Sequence, residues 1–146
     1  MAEGIVDRAE IGLDLALRVL EEVRRAATVE SLSVAAAVVD PGGHIVASAR
    51  MDGAALGAMK LAVDKAYTAV LWQTPTGYFM GSTQPGGEDW GFNTTTDGRI
   101  VVYAGGLPVF DGDRLCGALG VSGGTGEQDE QCARLALEAA GLAAAE

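Results

Sequence analysis

The sequence predicts an α/β domain of the α+β kind, an antiparallel sheet with helices packed on it. Three observations carry that expectation. Apolar residues recur with helical spacing in three segments and as short Val-rich runs between them. The turn Asp40-Pro41-Gly42-Gly43 joins one pair of these runs and Asp111-Gly112-Asp113 another, making hairpins where a doubly wound parallel sheet needs crossover helices. Finally, 146 residues, 49% of them hydrophobic, are room for one core. Such a chain buries roughly two thirds of its unfolded surface on folding. Residues 1–146 read as a single domain, since neither a linker nor a solenoid repeat divides them.

Each element has its own signal. Asp7 and Glu10 have the spacing of a capping box, and Ile11, Leu15, Val19 and Val23 recur every fourth residue, with Leu13, Leu17 and Leu20 widening the stripe. A first helix is expected over residues 8–27. Strands follow over residues 33–39 and 44–51. A second helix is expected over residues 56–72, where Leu61, Lys65, Ala69 and Trp72 fall on one face. Thr74-Pro75 starts a helix of a turn or two. The irregular segment 81–98 carries Trp90 and Phe92, and such a segment in a compact domain is expected to be functional. Strands are expected over 100–103, 107–110 and 115–122. Thr125 and Gln128 then form a capping box for a last helix with Cys132, Leu135, Ala136, Ala139 and Leu142 inside.

Ten Lys and Arg against 20 Asp and Glu set the net charge at −10, which disfavours nucleic acid and anionic membranes as partners and leaves small ligands open. No apolar run approaches the roughly 20 residues of a membrane span. The acid-interrupted start of the chain does not have the pattern of a signal peptide, and the expectation is a cytoplasmic protein. Cys116 and Cys132 read as reduced, small hydrophobes. With one histidine, His44, on a turn, the chain has too few ligands for a zinc site and no basis for a Ser-His-Asp triad.

Two places invite chemistry. Arg50-Met51-Asp52-Gly53 puts a guanidinium, a carboxylate and a flexible glycine at a strand end, where they either clamp a ligand carboxylate or make a surface pair. Lys65 faces apolar surroundings, so its ammonium is either satisfied by an internal Asp or a carbonyl, or serves in a pocket as anion binder or acid–base group. Gly105-Gly106, Gly117, Gly120 and Gly123-Gly124 allow close packing. Ser122 to Gln128 also offers backbone N–H groups at a helix start.

The stretches VAAAVVDPGGHIVASARMDGA, DKAYTA and GGLPVFDGDRLCGALGVSGGTGEQDEQCARLAL resemble the GlcG/HbpS-like family, also called haem-degrading-domain or PduO C-terminal-like proteins, over nearly the whole chain. The resemblance implies a three-layer domain with an antiparallel sheet of about five strands between helices, assembled as a homo-oligomer. It implies haem or corrinoid and glycolate-utilisation contexts. The family's recurrent positions fall on Arg50, Asp52, Gly53, Lys65, Gly105, Gly106, Gly123 and Asp129.

Two functions are therefore expected. The first is a small-molecule-binding protein with haem or another tetrapyrrole as leading ligand, bound by Arg50, Gly53, Tyr67, Trp90, Gly105, Gly106 and Ser122. The second is a cofactor-independent isomerase, hydratase or lyase acting on a carbonyl or carboxylate compound, with Arg50 orienting the substrate and Lys65 or Asp52 moving a proton. In either case the pocket is expected near a subunit interface, with the Trp90–Phe92 loop helping to cover it.

Overall fold

In the structure, a computed structural model that describes residues 1–144, the element order is α1 (Leu13–Val29), β1 (Ala35–Val39), β2 (Ile45–Arg50), α2 (Ala58–Trp72), β3 (Gly106–Asp111), β4 (Arg114–Ser122), α3 (Gly126–Ala139) and β5 (Ala143–Ala144). All pairings are antiparallel and the strand order is β2-β1-β4-β3-β5. Four full strands and a two-residue fifth make the sheet, and helices cover both faces. This is the expected α+β fold.

The pleat of β1 separates the layers. Ala36 and Val38 join Leu119 and Val121 in a core with α1 and α3, while Ala35, Ala37 and Val39 point to α2 with Ala118. The α2 face of the sheet is thus lined by alanine and glycine, and the helix settles almost backbone to backbone. A Cβ on Gly120 would fall on the carbonyl oxygen of Ala62.

Several expected boundaries move, each for a tertiary reason. The first helix starts at Leu13 after Gly12, with no side-chain cap, because Ile11 N donates to Cys116 O at 2.8 Å and draws residues before it along β4. Asp7, expected as the cap, pairs with Arg114 at 3.6 Å instead. Residues 100–103 are not a strand. Ile100 and Val101 are buried, but their segment is tied to side chains: Val101 N donates to Thr68 Oγ1 at 3.0 Å, and Tyr103 O accepts from Thr76 Oγ1 at 2.6 Å. The fifth strand is β5, beyond the last helix, beside β3.

The capping box of Thr125 and Gln128 forms as expected, with bonds of 3.2 and 2.9 Å. The inner face of α3 is Asp129, Cys132, Ala133, Ala136 and Leu137, while Leu135 and Ala139 turn outward. Burial of Asp129 sets that phase. On α2, Trp72 lies at the end of the stripe and is 49% exposed. The helix expected after Thr74-Pro75 is a single 3-10 turn, Thr76–Phe79.

If the α2 contact depends on bare backbone, Gly120→Ala should destabilise the protein by about 3 kcal/mol in urea unfolding, since overpacking against a carbonyl has little room to relax. Gly57→Ala is the control: nothing lies within 4 Å of the added Cβ, and stability should hold within about 0.5 kcal/mol.

Candidate functional site

Lys65 is 1% exposed and lies at the junction of three elements. Its Nζ donates to Asp129 Oδ2 at 2.8 Å and to Val121 O at 2.9 Å, and sits 5.4 Å from the centre of the Tyr103 ring. The other carboxylate oxygen of Asp129 accepts from Gly124 N at 2.8 Å. One ammonium thus ties α2 to the end of β4 and to the first turn of α3. Gly105, at φ 131°, provides the space, since a Cβ there would stand 2.5 Å from Nζ. Burial pulls the Lys65 pKa below its usual value, and the hydrogen bond and charge of Asp129 oppose that pull.

The ammonium's bonds are therefore made inside the chain. Ser122 is buried at the adjoining strand end, and Gly106 packs against the Lys65 carbonyl and Thr76. At the helix start that sequence offered to an anion, Gly124 N, Thr125 N and Gln128 N are taken by Asp129, Gln128 and Thr125.

Arg50 belongs to a different place, a surface groove between α1 and β2. The groove, about 260 Å³, has Leu17, Leu20, Val23, Val34, Ala36 and Ala49 among its lining residues and Arg24 and Arg50 at its rim. It adjoins a shallow depression of about 850 Å³ where Arg24, Arg25 and Arg50 meet Glu21 and Asp52. Arg24 is held by Glu21 at 2.7 Å, a bond that lowers the Glu21 pKa, and Arg25 by Glu22 at 3.3 Å. Arg50 makes no ion pair among the described residues, with Asp52 or any other acid. Met51 lies in the wall, its Sδ accepting from Val34 N at 3.4 Å. Gly53, at φ 84°, turns the chain out of the hairpin beside Ser33.

The candidate residues thus fall into separate groups. Arg50, Asp52 and Gly53 stand at the groove, and Lys65, Gly105, Gly106 and Ser122 surround the buried pair. Tyr67 packs against Gly43 of the first hairpin turn and carries the Arg99 guanidinium 3.6 Å above its ring, while Arg99 Nε donates to Asp64 Oδ1 at 3.0 Å. Trp90 is 66% exposed on the loop that follows α2, away from the groove's lining residues. The α1 side of the groove, Leu17, Leu20 and Arg24, escaped sequence reasoning. Its only trace was that Leu17 and Leu20 widened a helical stripe beyond what one core face needs.

Comparison with known proteins places this architecture. The profile of a family described as Haem degrading protein HbpS-like matches residues 11–138. The chain belongs to the HbpS-like family. This HbpS-like chain is 38% identical over 130 residues to an uncharacterized 15.0 kDa protein in the dhaT-dhaS intergenic region of Citrobacter freundii, covering 89% of this chain and 92% of that one. Among solved structures, Klebsiella pneumoniae protein ORFY superposes with a TM-score of 0.92 at 33% identity, covering 97% of each chain. The structure described as the PduOC:Heme complex gives 0.89 at 28% identity, covering 94% of this chain and 100% of that one.

Breaking the buried pair from one side should be severe. Lys65→Met or Asp129→Asn alone is expected to cost about 3–5 kcal/mol in chemical denaturation, and Lys65→Met with Asp129→Leu less than the sum of the two, because no charge is left stranded. The cysteines give a second test. Burial, aided by neighbouring acids, pushes both thiols up in pKa, so neither should react with a thiol reagent at neutral pH until denaturant is added.

Proposed function

We propose that this chain is a small-molecule-binding protein whose ligand is flat, conjugated and carboxylate-bearing, a haem or another tetrapyrrole, held in the groove between α1 and β2. The observation that carries the reading is the apolar groove itself, which has Arg24 and Arg50 among its lining residues, Arg50 being without an ion pair among the described residues. An apolar wall and a few convergent cations are the chemistry that a hydrophobic dicarboxylate needs. The family's description and the haem complex of a related structure support the same ligand class.

The residues present fit that group. Leu17, Leu20 and Ala49 would face the macrocycle and keep water from it. Arg50 would hold one carboxylate, and Arg24, already oriented by Glu21, the other. The Met51 thioether is the soft donor in the groove wall, whereas His44 lies at the other end of the hairpin, paired with Asp40. Bound there, haem would supply an iron centre for redox or oxygen chemistry. Two buried free thiols accord with a cytoplasmic setting for this function. A cofactor-independent proton-transfer enzyme gains no support from the geometry, since the Lys65 hydrogen bonds are spent inside the core and Asp52 stands apart from it at the surface.

Hemin titration is the test. The wild type should show a saturable Soret shift at micromolar concentration. Arg50→Ala should weaken binding about tenfold, the scale of one charge-assisted hydrogen bond. Ala49→Trp, which fills the groove from an exposed position, should abolish it. No saturable shift in the wild type removes the haem reading.

A further inference from the structure

Strand β2 is one edge of the sheet, and its main chain is open there. The order β2-β1-β4-β3-β5 gives it a neighbour on one side only. Met51 N donates to Val34 O at 2.9 Å, so the alternation of an antiparallel ladder makes Ala49 and Ala36 the next hydrogen-bonded pair in the register. The N–H and C=O groups of Ser48 and Arg50 therefore point away from β1, and no hydrogen bond among the described residues takes them up. Ser48, Ala49 and Arg50 are all exposed. Free edges are commonly guarded by a proline, a lysine or a bulge. From Ala47 to Arg50 the register is regular and the sequence is Ala-Ser-Ala-Arg, with none of these guards.

The groove beside α1 follows this edge. Four consecutive residues line it, Ser48, Ala49, Arg50 and Met51, and since successive side chains of a strand point to opposite faces, the groove runs along the backbone edge itself. Across from it, Leu17 and Leu20 of α1 form an apolar wall, with Leu17 50% exposed. Open main-chain groups beside an apolar slot suit an extended peptide, whose backbone bonds hold it while every second side chain is read by the slot. Ala49, opposite Ala36, lies on the α1 face, and Arg50, opposite Ala35, on the other. We infer that β2 accepts, as a further strand, an extended segment of another protein that alternates apolar and acidic residues. Its apolar side chains enter the groove beside Ala49, and its acidic ones stand on the opposite face beside Arg50, which has no ion pair among the described residues. A second copy pairing through its own β2 would bring Ala47 and Ala49 to the groove, side chains too small to fill about 260 Å³. The inference goes beyond the ligand reading and does not rest on it, although a strand and a flat ligand would share one apolar wall and exclude each other.

The test uses the full chain without haem and a fluorescein-labelled octapeptide, TLEVTLES in one-letter code, whose leucines and valine share one face when extended. Fluorescence anisotropy should show saturable binding with a Kd below roughly 1 mM. A peptide of the same composition without the alternation should bind at least tenfold more weakly. Of two forms of the probe N-methylated on alternate amides, one should lose binding at least tenfold and the other keep it, because only every second amide faces the strand. Ser48→Pro removes an outward N–H that no ladder bond uses, and it should lose binding at least tenfold while far-UV circular dichroism stays unchanged. Leu17→Glu, at an already exposed position of α1, should do the same. No saturable binding to the wild type, equal effects of the two methylations, or a Ser48→Pro chain that binds as well as the wild type overturns the inference. So does self-association that Ser48→Pro abolishes, which would put a second copy at the edge. A failed hemin titration beside intact peptide binding would remove only the ligand reading, and the reverse result only the added strand.

Discussion

A buried ammonium has to be answered from inside the chain, and much of this structure follows from how Lys65 is answered. Desolvating a positive charge is costly unless its hydrogens are taken up, so the surrounding backbone supplies the carbonyl of Val121 and α3 supplies the carboxylate of Asp129. That requirement turns α3 so that Asp129, Cys132, Ala133, Ala136 and Leu137 face inward. It also explains why Gly105 cannot carry a side chain and why the Gly123-Gly124 bend is closed by Asp129 instead of standing open to a ligand. The residues that looked most like a catalytic centre are the ones that join the helical layers across the end of the sheet.

The two faces of the sheet are packed by different means. On the side of α1 and α3, Val, Leu and Cys side chains pack into one core. On the side of α2, alanine and glycine bring backbone against backbone, with Ala62 over Gly120. The apolar groove lies beside the edge strand β2, whose outer residues have no further strand to cover them. Arg24 of α1 and Arg50 of β2 are among the residues that line it.

The charge distribution has the same local character. The net charge of −10 describes the molecule as a whole, yet Arg24, Arg25 and Arg50 lie together with Glu21, Glu22 and Asp52, while residues 66–98 carry acids and no Lys, Arg or His. The aromatic residues are divided likewise, Phe92 toward its own domain and Trp90 away from it.

Local pattern determined the fold class, the first hairpin at Asp40–His44 and the capping box at Thr125, because each depends on near neighbours or on total composition. The oddness of Lys65 was also legible, since a charge on an apolar stripe demands a partner, and an internal Asp or a carbonyl was among the expected answers. What sequence could not supply was the choice between neighbours distant in the chain. Residues 100–103 look like a strand, and only the Thr68 and Thr76 hydroxyls, each roughly thirty residues away, take up the hydrogen bonds a ladder would have made. The start of α1 was decided by Cys116, and the separation of Arg50 from Lys65 by their places on the edge strand and at the buried end of β4. Periodicity reports which face of an element is buried; which side chains meet there, and which surfaces stay open, depends on packing that forms only when all the elements are present.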